Sequence, residues 1–284
     1  MKDKESPNEP TSPDAAASAA ANDSRDLSIS TTLTRGLEIL ACFKFSGVTA
    51  AQADIALSNA EIARRLGINK ATVSRLCKTL IKERYLRRDS SGRFLLAPRI
   101  LSLTYPLFAS MKWRLGALGA MKEIAGIAKG SVSLSLFSGP DTVFVQTTGD
   151  PGNYPHVPEV GMTMPVPASS AGRALLSMLT TREYEDKCAE VSAAYPLAYE
   201  QLKPKIAQAL DSCHERGFCV AFGDWRPDIY GVSAPVVRTS DGLVVALSCG
   251  VPAYRTDRDA FEQNIGPRIA AVAKNLRFID SFCS

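Results

Sequence analysis

Asn59–Leu80 reads NAEIARRLGINKATVSRLCKTL, and the spacing of its small, apolar and basic residues decides the fold of the first part of the chain. Two helices that meet at a steep angle need a small residue on the first, a glycine in the tight turn and branched side chains on the second. Ala63, Gly67 and Val73 follow one another four and six residues apart, with Ile62, Leu66, Ile68, Leu76 and Leu80 as the surrounding apolar set. Ser58, three residues before Glu61, predicts a capping box at the first helix start, and Asn69 is placed to cap the second helix. With that apolar set turned inward, Lys70, Thr72, Ser74, Arg75 and Lys78 point outward. They form a donor-rich face suited to the major groove of DNA. The competing reading is an ordinary helical hairpin with polar exposed residues.

Working outward, Tyr85–Arg88 and Arg93–Leu95 flank the turn-rich tetrad Asp89-Ser90-Ser91-Gly92. This pattern predicts a short hairpin, a wing from which Arg87, Arg88 and Arg93 reach phosphates or the minor groove. A plain structural hairpin competes with it. Upstream, Leu33, Leu37 and Leu40 share one face of a first helix, and 47–57 reads as a loop. Residues 1–28 are rich in Ser, Pro, Ala, Asp and Glu without apolar periodicity, and read as a disordered tail. A winged helix-turn-helix domain is therefore expected over 29–97.

Charge singles out the same region. Residues 29–98 carry twelve Lys/Arg against five Asp/Glu, whereas 1–28 are acidic and 99–284 hold 18 of each sign. Positive charge concentrated in one segment suggests a phosphate backbone as its partner. Seven cysteines without CxxC pairs and only two histidines argue against a disulfide framework or a zinc site, and for a cytoplasmic setting. No stretch approaches the roughly 20 apolar residues of a membrane helix. Neither a cofactor nor a metal site is expected.

The rest of the chain reads as a linker helix, 98–111, and a second domain, 112–284. Alternating strands at 131–137 and 142–148 meet at Gly139-Pro140-Asp141. Helices follow near Ser169, at 181–191 and at 200–215, and strands return at 217–222, 229–237 and 243–250. A last helix carries Phe261, Ile265, Ile269, Val272 and Leu276, with Gly266-Pro267 expected to kink or split it. The mixture predicts an α+β domain, an antiparallel sheet with helices on one face.

These stretches resemble the IclR-type transcriptional regulators. Leu33–Leu40, Asn59–Leu80 and the Gly92-Arg93-Phe94 wing carry the likeness in the first domain. Ala168–Leu176 (ASSAGRALL) and Gly217–Val236 carry it in the second. The resemblance implies a repressor or activator of a catabolic operon that binds double-stranded operator DNA as a dimer or tetramer. It also implies a C-terminal fold related to GAF and PAS sensors, where a carboxylic acid or aromatic catabolite lies on one sheet face. Free N–H groups of Ser170 and Ala171 at a helix start would attract an anion, and the competing reading is that Ser-Ser-Ala-Gly is simply a good N-terminal cap. By the family's motifs Met164, Ile229, Gly231, Ser248 and Gly250 would also line the pocket. Ala221 and Gly231 stand where sugar-acid-type members have an acidic residue and a cysteine. That suggests a roomier cavity, rimmed by Phe222, Trp225 or Tyr230, and a larger or aromatic effector. Asp224 stands where the family tends to have Glu, and reads as structural.

Two other classes compete. An enzyme would use Ser169 or Ser170 with His156 or His214, but GxSxG, phosphate-loop and metal-ligand patterns are absent. An effector-independent DNA-binding protein would use its C-terminal domain only for oligomerisation. One recognition helix and one wing make a small footprint, so at least a homodimer is expected, with 98–111 and the Leu33–Leu40 region as contacts.

Overall fold

The computed structural model describes residues 29–43, 55–149, 158–240 and 242–276. They fall in two compact units whose boundary lies between Ala97 and Pro98. The expected tail at 1–28 and most of the expected loop at 47–57 lie outside the described residues.

In the first unit, α1 spans Thr31–Ala41, α2 Asn59–Leu66 and α3 Lys70–Lys82, followed by β1 (Leu86–Arg88) and β2 (Phe94–Leu96). Side chains start each helix by accepting from backbone donors that have no helical partner. Ser58 and Glu61 close a reciprocal box: the Ser58 N–H donates to Glu61 Oε2 at 2.7 Å, and the Glu61 N–H to Ser58 Oγ at 3.2 Å. Hydrogen bonding to Ser58 holds the Glu61 carboxyl below its usual pKa. Asn69 Oδ1 accepts from the Thr72 N–H at 2.7 Å. Between the helices Gly67 adopts φ +62°, a left-handed conformation that a side chain disfavours, and its N–H ends α2 on the Ala63 carbonyl. Ile39, Leu57, Ile62, Val73, Leu86 and Phe94 form the buried core. Leu57 ties itself to the wing by exchanging backbone hydrogen bonds with Phe94, 2.9 and 2.8 Å.

In α1 Ile39 and Cys42 turn into the core with Leu40 packed against it, while Leu33 and Leu37, expected among the contacts between copies, are exposed.

The second unit begins with α4 (Arg99–Ser110), α5 (Trp113–Gly116) and α6 (Leu118–Ala128). Then come β3 (Ser131–Ser138), β4 (Asp141–Gly149), β5 (Thr163–Pro165), α7 (Ser170–Leu176), α8 (Thr181–Ala194) and α9 (Pro196–Arg216). The unit ends with β6 (Cys219–Phe222), β7 (Ile229–Arg238), β8 (Val244–Pro252) and α10 (Arg258–Leu276). The six strands form one antiparallel sheet in the order β5-β4-β3-β8-β7-β6. Among the described residues no helix is long and apolar enough to cross a membrane.

Helices cover both faces of this sheet, not one. In β3 the side chains alternate, as strand geometry requires. Val132, Leu134 and Leu136 pack with α6 and α10 in the main core. Ser131, Ser133 and Ser135 are buried on the opposite face. There α7 and α9 build a second apolar layer, in which Leu175 and Ala209 meet Val244 and Ala246 of β8.

Gly266-Pro267, expected to kink or split the last helix, does not split it: α10 runs through both residues. The glycine serves packing instead. A Cβ there would lie 2.2 Å from Cε2 of the buried Phe218 ring. Gly266→Ala should therefore destabilise the protein by about 1–3 kcal/mol through overpacking, despite alanine's better helix propensity. Chemical denaturation measures this; an equal or higher midpoint would show that the ring has room to move.

Candidate functional site

The exposed surface of α3 is set by what the helix buries. Val73, Leu76 and Cys77 face the core, which leaves Lys70, Ser74, Arg75 and Lys78 in solvent. Burial pushes the Cys77 thiol up to about 11, so it acts as an apolar filler at neutral pH. Thr72 is half-buried and Asn69 has its side-chain oxygen engaged in the cap, so these two shape the helix start as much as they face outward.

The wing arginines divide. Asp89 organises the turn, its Oδ1 accepting from Ser91 N–H, Ser91 Oγ–H and Arg93 N–H at 2.7–2.9 Å, with Gly92 at φ +81°. Arg93 donates to the Ala56 carbonyl and lies 3.6 Å from Glu61, which pins the wing to α2. Arg88 folds over the Phe94 ring at 4.7 Å and donates to the Gly92 carbonyl. Arg87 is exposed without such a contact among the described residues. Of the three, it has the guanidinium most available to an outside phosphate.

In the second unit a cavity of about 70 Å³ lies between α7 and the sheet. A single water needs only about 10–15 Å³ by the same measure, so there is room for a small organic molecule. Strand register creates it. Ser131 pairs with Gly250, Gly250 with Gly231, and Gly231 with Ala221, a row of very small residues across four strands. The next row on the same face is Ser133, Ser248, Ser233 and Cys219. A Cβ at Gly231 would lie 2.7 Å from Ser170 Oγ, so α7 comes close to the sheet over that row.

Of the residues named from sequence, Met164, Ser170, Ile229, Gly231, Ser248 and Gly250 all border the cavity. Ala171 does not; it is fully buried beside it. Ser170 Oγ shares a hydrogen bond with Ser233 Oγ at 2.8 Å, and Ser248 Oγ donates to the Ser133 carbonyl at 3.2 Å. Trp225 lines the cavity, but Phe222 and Tyr230 do not. They are a register pair next to Ala221 and Gly231, so they face the other way and pack edge-to-face at 5.1 Å. Sequence reasoning missed Ser131, Ser133 and Phe144. The alternation in Ser131-Val-Ser-Leu-Ser-Leu136, polar on one side of an otherwise apolar strand, was the available signal.

Asp224 does more than close a turn. It borders the cavity with its side chain only 5% exposed, and its Oδ2 lies 2.8 Å from Nη2 of Arg173, which is 1% exposed. Arg173 also donates to the carbonyls of Pro167 and Val220, which fixes the approach to α7 and the edge of β6. Lys205 reaches Asp224 from α9. Arg173 and Lys205 do not themselves border the cavity; they offset the charge of Asp224, which does. The enzymatic alternative gains nothing here. Ser169 Oγ is the α7 cap, accepting from the Gly172 N–H, and His214 does not border the cavity. His156 lies outside the described residues.

Asp224→Asn should cost about 3 kcal/mol of stability, because it leaves the Arg173 charge buried without a counter-ion. Lys205→Ala, at a half-exposed position, should cost less than about 1 kcal/mol. Denaturant midpoints compare the two; similar small losses would mean that water reaches the Arg173 guanidinium.

Comparison with known proteins agrees with both units. The model of the IclR helix-turn-helix domain matches residues 32–90, and that of the bacterial transcriptional regulator IclR C-terminal domain matches 109–277. An IclR family transcriptional regulator from Brucella abortus is 31% identical, with 90% of this chain and 95% of that one covered and a TM-score of 0.76. The Pca regulon regulatory protein of Pseudomonas putida is 24% identical over 87% of this chain and 82% of its own. An IclR homologue from Microbacterium hydrocarbonoxydans, solved with 4-hydroxybenzoate, shares the fold at 18% identity and a TM-score of 0.67, with 89% and 100% covered. The chain is a member of the IclR family of bacterial transcriptional regulators.

Proposed function

We propose that this regulator controls a catabolic operon through a small carboxylic acid, aromatic in character, held in the cavity between α7 and the sheet. One observation carries the reading. Ser131 and Ser133 line the cavity, and neither side chain makes a hydrogen bond among the described residues. Serines kept free at the bottom of a buried trough are donors waiting for an acceptor. Phe144, Met164, Ile229 and Trp225 supply flat or flexible apolar walls. The 4-hydroxybenzoate bound to the Microbacterium homologue supports an aromatic acid as the first probe.

On the DNA side, α3 enters the major groove with Lys70, Ser74, Arg75 and Lys78, and Arg87 meets the backbone from the wing. The regulator acts as a homodimer or tetramer. In support, Leu101, Leu103, Tyr105 and Leu107 of α4 are each more than half exposed, as are Leu33 and Leu37 of α1. Apolar surface of that extent is what an interface between copies buries.

Two outcomes follow. On a site selected from a random DNA pool, Arg75→Ala should lose about 1–3 kcal/mol, and mainly at one base position. Arg87→Ala should weaken all sequences evenly and flatten the salt dependence, and Arg93→Ala should act through stability instead. Gel shifts at several salt concentrations, with melting curves alongside, separate these; unchanged binding by Arg75→Ala would remove α3 from the groove. For the cavity, a thermal-shift panel of aromatic and aliphatic carboxylates beginning with 4-hydroxybenzoate should find a stabilising ligand. Ser133→Ala should then weaken its binding by about 1 kcal/mol, roughly fivefold. Calorimetry giving parental affinity for both Ser131→Ala and Ser133→Ala would place the ligand elsewhere.

A further inference from the structure

Among the buried hydroxyls between α7 and the sheet, one pair has a hydrogen bond that geometry alone lets run either way. Ser170 Oγ and Ser233 Oγ lie 2.8 Å apart, and either can donate to the other. Ser233 of β7 is 0% exposed and does not border the cavity, whereas Ser170, the first residue of α7, does. The Ser170 hydroxyl stands over the row of very small residues. A Cβ at Gly231, two residues before Ser233 on the same strand face, would lie 2.7 Å from its oxygen.

The neighbours of Ser233 have their protons committed elsewhere. Ser248, its register partner on β8, donates to the Ser133 carbonyl at 3.2 Å. Cys219, its partner on β6, donates to the Ser170 carbonyl, with 3.4 Å between sulfur and oxygen. Among the described residues the two hydroxyls of Ser170 and Ser233 have only each other. A hydroxyl carries one proton and two lone pairs, so whichever serine donates, one proton is left over. If Ser170 donates, the leftover proton belongs to Ser233, sealed from the cavity, and a buried donor without an acceptor is destabilising. If Ser233 donates, the leftover proton belongs to Ser170, where a molecule in the cavity can accept it. Burial therefore favours the second direction.

We infer, on the reading that a carboxylate occupies this cavity, that Ser233 is a positioning residue for the effector. It donates to Ser170 Oγ and so turns the Ser170 proton towards an acceptor oxygen of the bound acid. Hydrogen bonds that run one way along a chain polarise one another, so Ser233 strengthens a contact that it does not itself make. It also holds the Ser170 hydroxyl in one of about three staggered orientations, a freedom that a free rotor would lose only on binding.

Calorimetry on the full-length protein tests this as a double-mutant cycle. The probe is the carboxylate of the thermal-shift panel that most raises the melting temperature, with 4-hydroxybenzoate tried first. Ser170→Ala should weaken binding about tenfold, the loss of a hydrogen bond to a charged acceptor. Ser233→Ala should weaken it about three- to fivefold, although Ser233 lies outside the cavity lining. In the Ser170→Ala background the same change should have no further effect, because no hydroxyl remains to be oriented. A role in packing alone would give equal losses in both backgrounds. Ser233→Cys, which keeps a weaker donor in nearly the same volume, should fall between Ser233→Ala and the parent. Parental affinity in Ser233→Ala, or losses that add in the double variant, would overturn the orienting role. If Ser133→Ala weakens the probe while Ser233→Ala does not, the cavity reading stands and this one falls. A panel without any stabilising carboxylate removes the acceptor and overturns both.

Discussion

The C-terminal unit depends on the register of four antiparallel strands. β3, β8, β7 and β6 align Ser131, Gly250, Gly231 and Ala221 in one row, and side chains this small cannot fill the space between a sheet and a helix. Interiors elsewhere are close-packed, so an unfilled row must be held open by its surroundings. Arg173 does this from α7, reaching the Pro167 and Val220 carbonyls and the Asp224 carboxylate. Gly172 fits the same logic, because a Cβ there would meet the Val166 carbonyl oxygen at 2.3 Å. A register slip of one residue would turn Val132 and Leu247 towards α7 and close the space.

The N-terminal unit solves a different problem, how to present a basic face from a small core. Two caps and one left-handed glycine fix α2 and α3, and the apolar side of α3 decides which of its residues stay outside. Part of the region's positive charge is structural. Arg65 donates to the Cys42 carbonyl at 2.9 Å and Arg93 holds the wing, so the surplus of arginines overstates the number available to DNA.

How far the sequence could be read follows from what kind of constraint each element obeys. The helix-turn-helix was legible because its determinants are local: Ser58 to Glu61, Asn69 to Thr72, and Gly67 between them. Six of the cavity residues were named from the likeness to family motifs, Ser170, Ile229 and Gly231 within ASSAGRALL and the Gly217–Val236 stretch and Met164, Ser248 and Gly250 outside them. What the motifs lacked came from register and from pairs distant in sequence. Phe222 and Tyr230 were assigned to the cavity, yet strand alternation turns them away once Ala221 and Gly231 face it. The alternation in β3 marked Ser131 and Ser133 as one polar face, but only the pairing of β8 with β3 sets them beside Gly250 and Ser248 in the cavity rows. The Arg173–Asp224–Lys205 cluster joins three separate elements, so local pattern does not announce it. Ile39 and Cys42, which carry the core side of α1, were not singled out, since a regular apolar stripe such as Leu33/Leu37 does not say whether the core or another surface covers it. Gly266-Pro267 was read only as a kink or split of the helix, whereas Phe218, 48 residues before Gly266, gives that glycine its packing role.

The most direct test of this account is a crystal structure of the protein with the carboxylate that most raises its melting temperature. The account places the ligand over the Ser131–Gly250–Gly231–Ala221 row, beneath Ser170, with its acceptor oxygens on Ser131 or Ser133 and its apolar part against Phe144 and Trp225. A ligand bound outside that trough, with the row covered only by a collapsed α7, would contradict it.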